Sequence, residues 1–150
     1  MEESVSQIID GLWIGGEGAA HSLQFFQKEN IKACINCTPS ILNNFAHQGV
    51  EYLRVPVNDT TDKEDMDLMK QMLDLAVDWL HIHHKVLGLN TLVHCHQGIN
   101  RSSSILCAYL MKYYGMKYKD AVDFLILRRQ AVFYNGDKAT FKKLLERYSD

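Results

Sequence analysis

Cys95 and Arg101 are the two residues whose types and spacing could do chemistry together. They belong to the stretch Val93-His94-Cys95-His96-Gln97-Gly98-Ile99-Asn100-Arg101-Ser102-Ser103-Ser104, which leaves an apolar strand, turns through a loop with a glycine and enters an apolar helix. Such a junction aims backbone N–H groups and the positive end of a helix at one point, which makes an anion site. At its entrance a Cys95 thiolate is stabilised by those amides, by the helix end and by Arg101. Only a chain that curls back on itself lets both side chains address one small ligand. A guanidinium can fork onto two phosphate oxygens and follow them through a transition state, which a lysine cannot copy. The pair therefore selects a tetrahedral oxyanion, cradled by the loop residues His96, Gln97, Gly98, Ile99 and Asn100 together with Arg101. Ser102 and Ser103 stand at the helix start, where a hydroxyl either caps the helix or bonds the Cys95 sulfur when that sulfur becomes a leaving group.

The elements that must position this loop read as alternating strands and helices. Ile8-Ile9-Asp10-Gly11-Leu12-Trp13-Ile14 predicts two short strands turning at Asp10-Gly11. A short helix through Ala20, Leu23, Phe26 and Gln27 ends near Asn30, and strands follow over Ile31 to Asn36 and Glu51 to Val57. From Glu64 to His84 apolar residues at 69, 72, 73, 76 and 80 keep a 3.6-residue period, which predicts a long helix with one broad packing face. Thr91-Leu92-Val93 has the wholly apolar character of a central strand covered on both faces. Three helices follow: Ser102 to Tyr114, Lys119 to Arg129 and Lys138 to Tyr148. The fold class is α/β: a central, mainly parallel, twisted sheet of about five strands flanked by helices. No repeat or linker interrupts it, so residues 1-150 are expected to form a single domain.

Composition narrows the function classes. The 150 residues are 47% hydrophobic and 10% aromatic, enough to bury a core without staples. With 16 basic and 18 acidic residues the net charge is −2, so a general nucleic-acid or anionic-membrane surface is not expected and any anion is handled in a local site. Four cysteines are too few for a secreted disulfide scaffold. The acidic start Met1-Glu2-Glu3-Ser4 lacks the pattern of a signal peptide, and neither lipidation signature is present. The expectation is a reducing compartment: cytoplasmic, and nuclear by diffusion, with no membrane anchor. Oligomeric state is not encoded in any recognisable pattern.

His94-Cys95, five further residues and Arg101-Ser102 resemble the signature of the cysteine-based protein phosphatases. The chain from roughly Ile8 to Glu146 resembles a small dual-specificity phosphatase of the domain-free kind, including Gly11-Leu12-Trp13-Ile14-Gly15, Tyr52-Leu53-Arg54-Val55-Pro56 and Cys107-Ala108-Tyr109-Leu110-Met111. The resemblance implies the cysteine-phosphatase fold and hydrolysis of phosphotyrosine, with phosphoserine and phosphothreonine, in protein substrates, through a phosphocysteine and without metal or cofactor. It also implies an aspartic acid that protonates the leaving oxygen. Pro56-Val57-Asn58-Asp59-Thr60 resembles the family's acid loop, which selects Asp59, with Asp62 and Asp65 as alternatives. The spacing to Cys95 is longer than the family's, and the surplus falls in His84-Lys85-Val86-Leu87-Gly88-Leu89-Asn90. His94 is implied to support the loop rather than to move protons. Many relatives carry a serine where this chain has Asn100. The segment Val132-Phe133-Tyr134-Asn135-Gly136 resembles a loop whose asparagine braces the catalytic loop, which would make Asn135 a supporting residue, although Tyr134 replaces the usual proline.

Other titratable groups have plainer readings. Arg128 and Arg129 read as a solvated helix end, or alternatively as a second anion pocket. His81, His83 and His84 read as solvated residues ending the long helix. Cys34-x-x-Cys37 reads as packing rather than zinc or a redox pair, with a disulfide to Cys95 left open, and Cys107 as core. His94 and His96 flank Cys95, but a metal there would block the nucleophile. Two competing functions keep the same fold. One is a phosphatase of phosphoinositides, RNA 5′ ends or carbohydrates: the absence of lysine from His96-Gln97-Gly98-Ile99-Asn100 argues against phosphoinositides, and the net charge argues against RNA. The other is a phosphobinding scaffold, which would be expected to lack the cysteine, the arginine or the acid.

Overall fold

Side chains on successive strand residues point to opposite faces, and the burial of this chain follows that rule on both sides of one sheet. The computed structural model describes residues 5–133 and 140–148. Strands β1 (Val5–Ile9), β2 (Leu12–Gly15), β3 (Ile31–Asn36), β4 (Glu51–Arg54) and β5 (Asn90–His94) form a sheet in the order β1-β2-β5-β3-β4. β1 and β2 are antiparallel and the other three pairings are parallel. Leu12, Ile14, Ile35 and Val93 face one core, while Trp13, Cys34 and Leu92 face the other. A register shift between Ile31 and Ala33 lets Ile31 and Cys34 share a face despite their odd spacing.

On the first face lie α3 (Lys63–Leu80), α4 (Arg101–Tyr114), α5 (Tyr118–Arg128) and the short α6 (Lys142–Glu146). On the second lie α1 (Glu17–Ala20) and α2 (Leu23–Lys28), with Phe25, Phe26 and Phe45 packed together. Every α4 residue from Arg101 to Met111 is buried, because the helix runs between the sheet and α3, α5 and α6. A helix buried all round is held on every side, and its first turn is correspondingly fixed.

Several element boundaries differ from those predicted. The helix near Ala20 is split at His21-Ser22, where Ser22 Oγ accepts the Phe25 N–H and starts α2 afresh. The fourth strand stops at Arg54: Val55 N–H still reaches Asn36 O, but Pro56 has no N–H to continue the ladder. The long helix stays α-helical only to Leu80 and widens into a π turn over His81–Val86, closed by Leu87 N–H on Ile82 O at 2.8 Å. Such a turn carries one more residue per hydrogen-bonded loop than an α turn, and it overlaps the segment His84 to Asn90 where the sequence predicts surplus chain. The last helix begins at Lys142 among the described residues.

Candidate active site

β5 delivers Cys95 to the carboxyl end of the sheet, and the loop that follows is fastened from outside. Cys95 N–H donates to Gly15 O at 3.3 Å, and Glu17 N–H to His96 O at 2.8 Å. Arg129 donates through Nη2 to Gln97 O at 3.0 Å and through Nε to Gly98 O at 2.9 Å, while Nη1 reaches Ser6 Oγ at 3.0 Å. Ile99 O accepts from Phe133 N–H and Ser103 Oγ. Four consecutive carbonyls, of residues 96 to 99, are thus turned outward. In a planar trans peptide the next N–H points the opposite way, so the amides of residues 97 to 100 face the concave side. One of them is seen doing so: Gly98 N–H donates to Cys95 Sγ at 3.2 Å. Gly98 has φ +69°, and a Cβ there would stand 2.9 Å from Gly15 and from the Arg129 guanidinium, so only glycine fits. At Gly16 a Cβ would meet His96 O at 2.6 Å.

The loop encloses a cavity of about 150 Å³ lined by Asp59, Cys95, His96, Gln97, Ile99, Asn100 and Arg101. Cys95 is 3% exposed at its floor. Ser102 Oγ lies 3.2 Å from Cys95 Sγ, the geometry of a hydroxyl placed to bond the sulfur rather than to cap the helix. Arg101 is buried, with Nη1 donating to Val57 O at 2.9 Å. Among the described residues its Nε is buried without a partner, a cost of about 1–3 kcal/mol or more that an arriving anion would remove.

Of the three candidate acids, Asp59 lines this cavity. Its Oδ2 accepts from Asn100 Nδ2 at 3.1 Å and its Oδ1 from Thr140 Oγ1 at 2.6 Å. Asp65 is turned elsewhere: it accepts from Thr60 Oγ1 at 2.7 Å and Asn58 N–H at 3.0 Å, and these bonds, Thr60 first, hold its carboxyl below the usual carboxylate range. It shapes the loop that carries Asp59. Asp62 is the residue before α3 and makes no cap bond.

His94 is 1% exposed and donates through Nδ1 to Cys95 O at 3.4 Å. Burial lowers its pKa to about 4, which keeps it neutral. His96 is exposed beside Glu17, 3.4 Å away. Cys34, Cys37 and Cys107 are fully buried, and all four cysteines are free thiols. The Cys37 thiol is raised well above its ordinary value, first by burial and then by the charge of nearby Cys95, with Arg101 opposing. Among the described residues no group of three or more His, Cys, Asp or Glu side chains could hold a metal ion. No helix among them is long and apolar enough to cross a membrane.

Two plain readings of the sequence are corrected here. Arg129 is no solvated helix end: it is 9% exposed and ties two loop carbonyls to β1, while Arg128 Nε donates to Ile8 O at 2.6 Å and its guanidinium lies over Phe124. Nor are the three helix-end histidines free. His81 stacks on Tyr113, His83 pairs with Glu51 at 2.9 Å, and His84 bridges Tyr109 Oη and Asp10 O. Thr140 escaped the sequence reading altogether, since a lone threonine 81 residues from Asp59 carries no signal. Asn135 and Tyr134 lie outside the described residues.

Residues 12–149 match the dual specificity phosphatase catalytic domain family. Human dual specificity protein phosphatase 21 is 33% identical over 133 residues, covering 89% of this chain and 67% of its own length. Dual specificity protein phosphatase 18 of Pongo abelii is 33% identical over 118 residues, 78% of this chain and 59% of its own. Human DUSP28 superposes with a TM-score of 0.84 at 24% identity, covering 99% of this chain and 94% of that one. For DUSP15 the TM-score is 0.81 at 25% identity, covering 98% and 88%. The chain belongs to the dual-specificity phosphatase catalytic domain family. It spans between 59% and 67% of the length of these two curated relatives.

Proposed function

We propose that the chain is a cysteine-dependent protein phosphatase that hydrolyses phosphotyrosine and phosphoserine or phosphothreonine through a phosphocysteine. The observation that carries this reading is the set of donors around one cavity: Gly98 N–H on Cys95 Sγ at 3.2 Å, the inward amides beside it, and Arg101, which lines the same cavity with its Nε unpartnered among the described residues. Cys95 thiolate attacks phosphorus from the cavity floor. As the S–P bond forms, the bond to the leaving oxygen breaks, and Asp59 at the rim gives that oxygen a proton. Arg101 and the loop amides hold the three equatorial oxygens, whose charge they match. Water then attacks phosphorus and passes a proton to Asp59, while the S–P electrons return to Sγ, where Ser102 Oγ donates a hydrogen bond to the departing sulfur. No step in this sequence calls on a Lewis acid or an organic cofactor.

A cavity of about 150 Å³ holds a phosphoryl group and little more of the substrate, which supports acceptance of short phosphorylated side chains as well as phosphotyrosine. Free thiols throughout fit a reducing, cytoplasmic setting. The test is hydrolysis of an aryl phosphate with chelator present, together with acid-quench trapping of a phosphoenzyme. Wild type turns over and is labelled, whereas Cys95→Ser loses roughly 10⁴-fold or more in kcat, as removal of a catalytic nucleophile does, and takes no label. Undiminished turnover in Cys95→Ser overturns the mechanism. Faster hydrolysis of phosphoinositides or RNA 5′ triphosphates than of phosphopeptides would overturn the substrate class.

A further inference from the structure

Asn100 occupies the position before the first turn of α4, where asparagine is among the best helix caps because its side-chain oxygen turns back onto the free N–H groups. It does not act that way. It makes no cap bond, its Oδ1 is buried with no partner among the described residues, and the residue is 6% exposed. The side chain instead reaches across to the acid loop, and Nδ2 donates to Asp59 Oδ2 at 3.1 Å. From the other side Thr140 Oγ1 holds Asp59 Oδ1 at 2.6 Å. A cap bond given up and an acceptor left buried both cost stability, and the one return is a fixed direction for an otherwise exposed carboxyl.

We infer that Asn100 is a positioning residue that sets Asp59 for proton transfer to the leaving oxygen. The inference rests on the phosphatase reading and deepens it. Asp59 sits on an exposed loop, and a carboxyl that can swing spends little of its time within hydrogen-bond reach of the oxygen it must protonate. An amide N–H suits the task because it keeps its proton: it orients Asp59 whether the carboxyl is charged or neutral and never competes for the transferred hydrogen. A serine at this place would carry its hydroxyl on a single carbon and fall short of the acid loop. On this reading Asn100 ties the phosphate loop to the acid loop through a side chain.

The readout that isolates this role is leaving-group dependence. A good leaving group departs without a proton, whereas a poor one needs the acid. We would measure kcat/KM, which reports the first displacement, for aryl phosphates from 2,4-dinitrophenyl to phenyl phosphate. Wild type, Asn100→Ser, Asp59→Ala and the double variant would be compared. Asn100→Ser should slow phenyl phosphate about tenfold more than it slows 2,4-dinitrophenyl phosphate, which steepens the slope toward that of Asp59→Ala. In the double variant the Asn100 effect should vanish, since nothing remains to be positioned. A loss equal for every leaving group, or one that adds in full to that of Asp59→Ala, overturns the inference and makes Asn100 a mere spacer of the phosphate loop. Turnover of 2,4-dinitrophenyl phosphate also reports that the variants are folded. Failure of the phosphatase reading itself would look different, because the wild type would then hydrolyse neither substrate through Cys95.

Discussion

At the carboxyl ends of β2, β3 and β5, Arg101 Nε and Asn100 Oδ1 are buried without partners among the described residues and both residues line a cavity, whereas at the opposite end of the sheet the side chains of His84 and Asn90 are bonded within the protein. There His84 donates through Nε2 to Asp10 O and meets Tyr109 Oη through Nδ1, each at 2.9 Å, and Asn90 Nδ2 donates to Glu29 O at 2.8 Å. The cavity beside them is larger, about 370 Å³ against about 150 Å³. Volume therefore does not mark the site of chemistry in this fold. What marks it is a set of donors, the loop amides and Arg101, gathered around one cavity with Cys95. His81 Nδ1 sharpens the distinction: it too is buried and unpartnered, but its ring lies flat on Tyr113 at 4.0 Å and it points at nothing shared. A lone orphan is a cost, and only a convergent set is a site.

The contrast can be broken most directly at Arg101. Lysine keeps the charge but loses the planar fork and the Nε donor, so Arg101→Lys should lower kcat roughly 10³-fold, with phosphate-analogue affinity falling alongside it. Near wild-type turnover would show that charge alone suffices and that the orphaned Nε means nothing. Next in size is a pH effect. His94 titrates near 4 when folded against 6.5 when free, so between those values the unfolded chain binds the proton and the folded chain does not. Its neutrality costs no stability above pH 6.5, and folding weakens as pH falls from 6.5 toward 4, by about 3 kcal/mol in all. Urea unfolding at pH 7 and at pH 4.5 should show a smaller loss for His94→Gln than for wild type. Equal losses would mean that the floor of the active site is wet enough to admit the proton.

Much of this site could be read from the chain before any coordinates. Cys95, Arg101 and Ser102 sit within eight residues, and their chemistry follows from a strand, a glycine loop and a helix start, all of which are local patterns. Asp59 needed the likeness of its loop to a family. What escaped was set by tertiary contact: Arg129 is a helix-end cation in one dimension and a buried loop brace in three, because the helix that carries it ends beside the phosphate loop. The same holds for Thr140, and for the histidines of the π turn, whose partners Glu51, Asp10 and Tyr109 lie on other elements. The sheet and most helices were legible because their periodicity is strong. The boundaries that moved did so where a proline, a serine cap or a change to π-helical pairing overrode that periodicity.

The smallest effect tests the satisfied end. His84 joins the π turn to the β1–β2 turn and to α4, whose first turn builds the phosphate loop, and this raises the question of whether the two ends are coupled through that helix. Coupling needs an element with two arrangements that both ends can bias. α4 is buried on all sides from Arg101 to Met111, and such packing resists small shifts. His84→Leu removes both hydrogen bonds and should cost about 1–2 kcal/mol in unfolding free energy. It should leave kcat, KM and the leaving-group slope where they were. If kcat fell in step with stability, the polar closure at the far end would be part of the catalytic apparatus, and α4 would be the rod through which it acts.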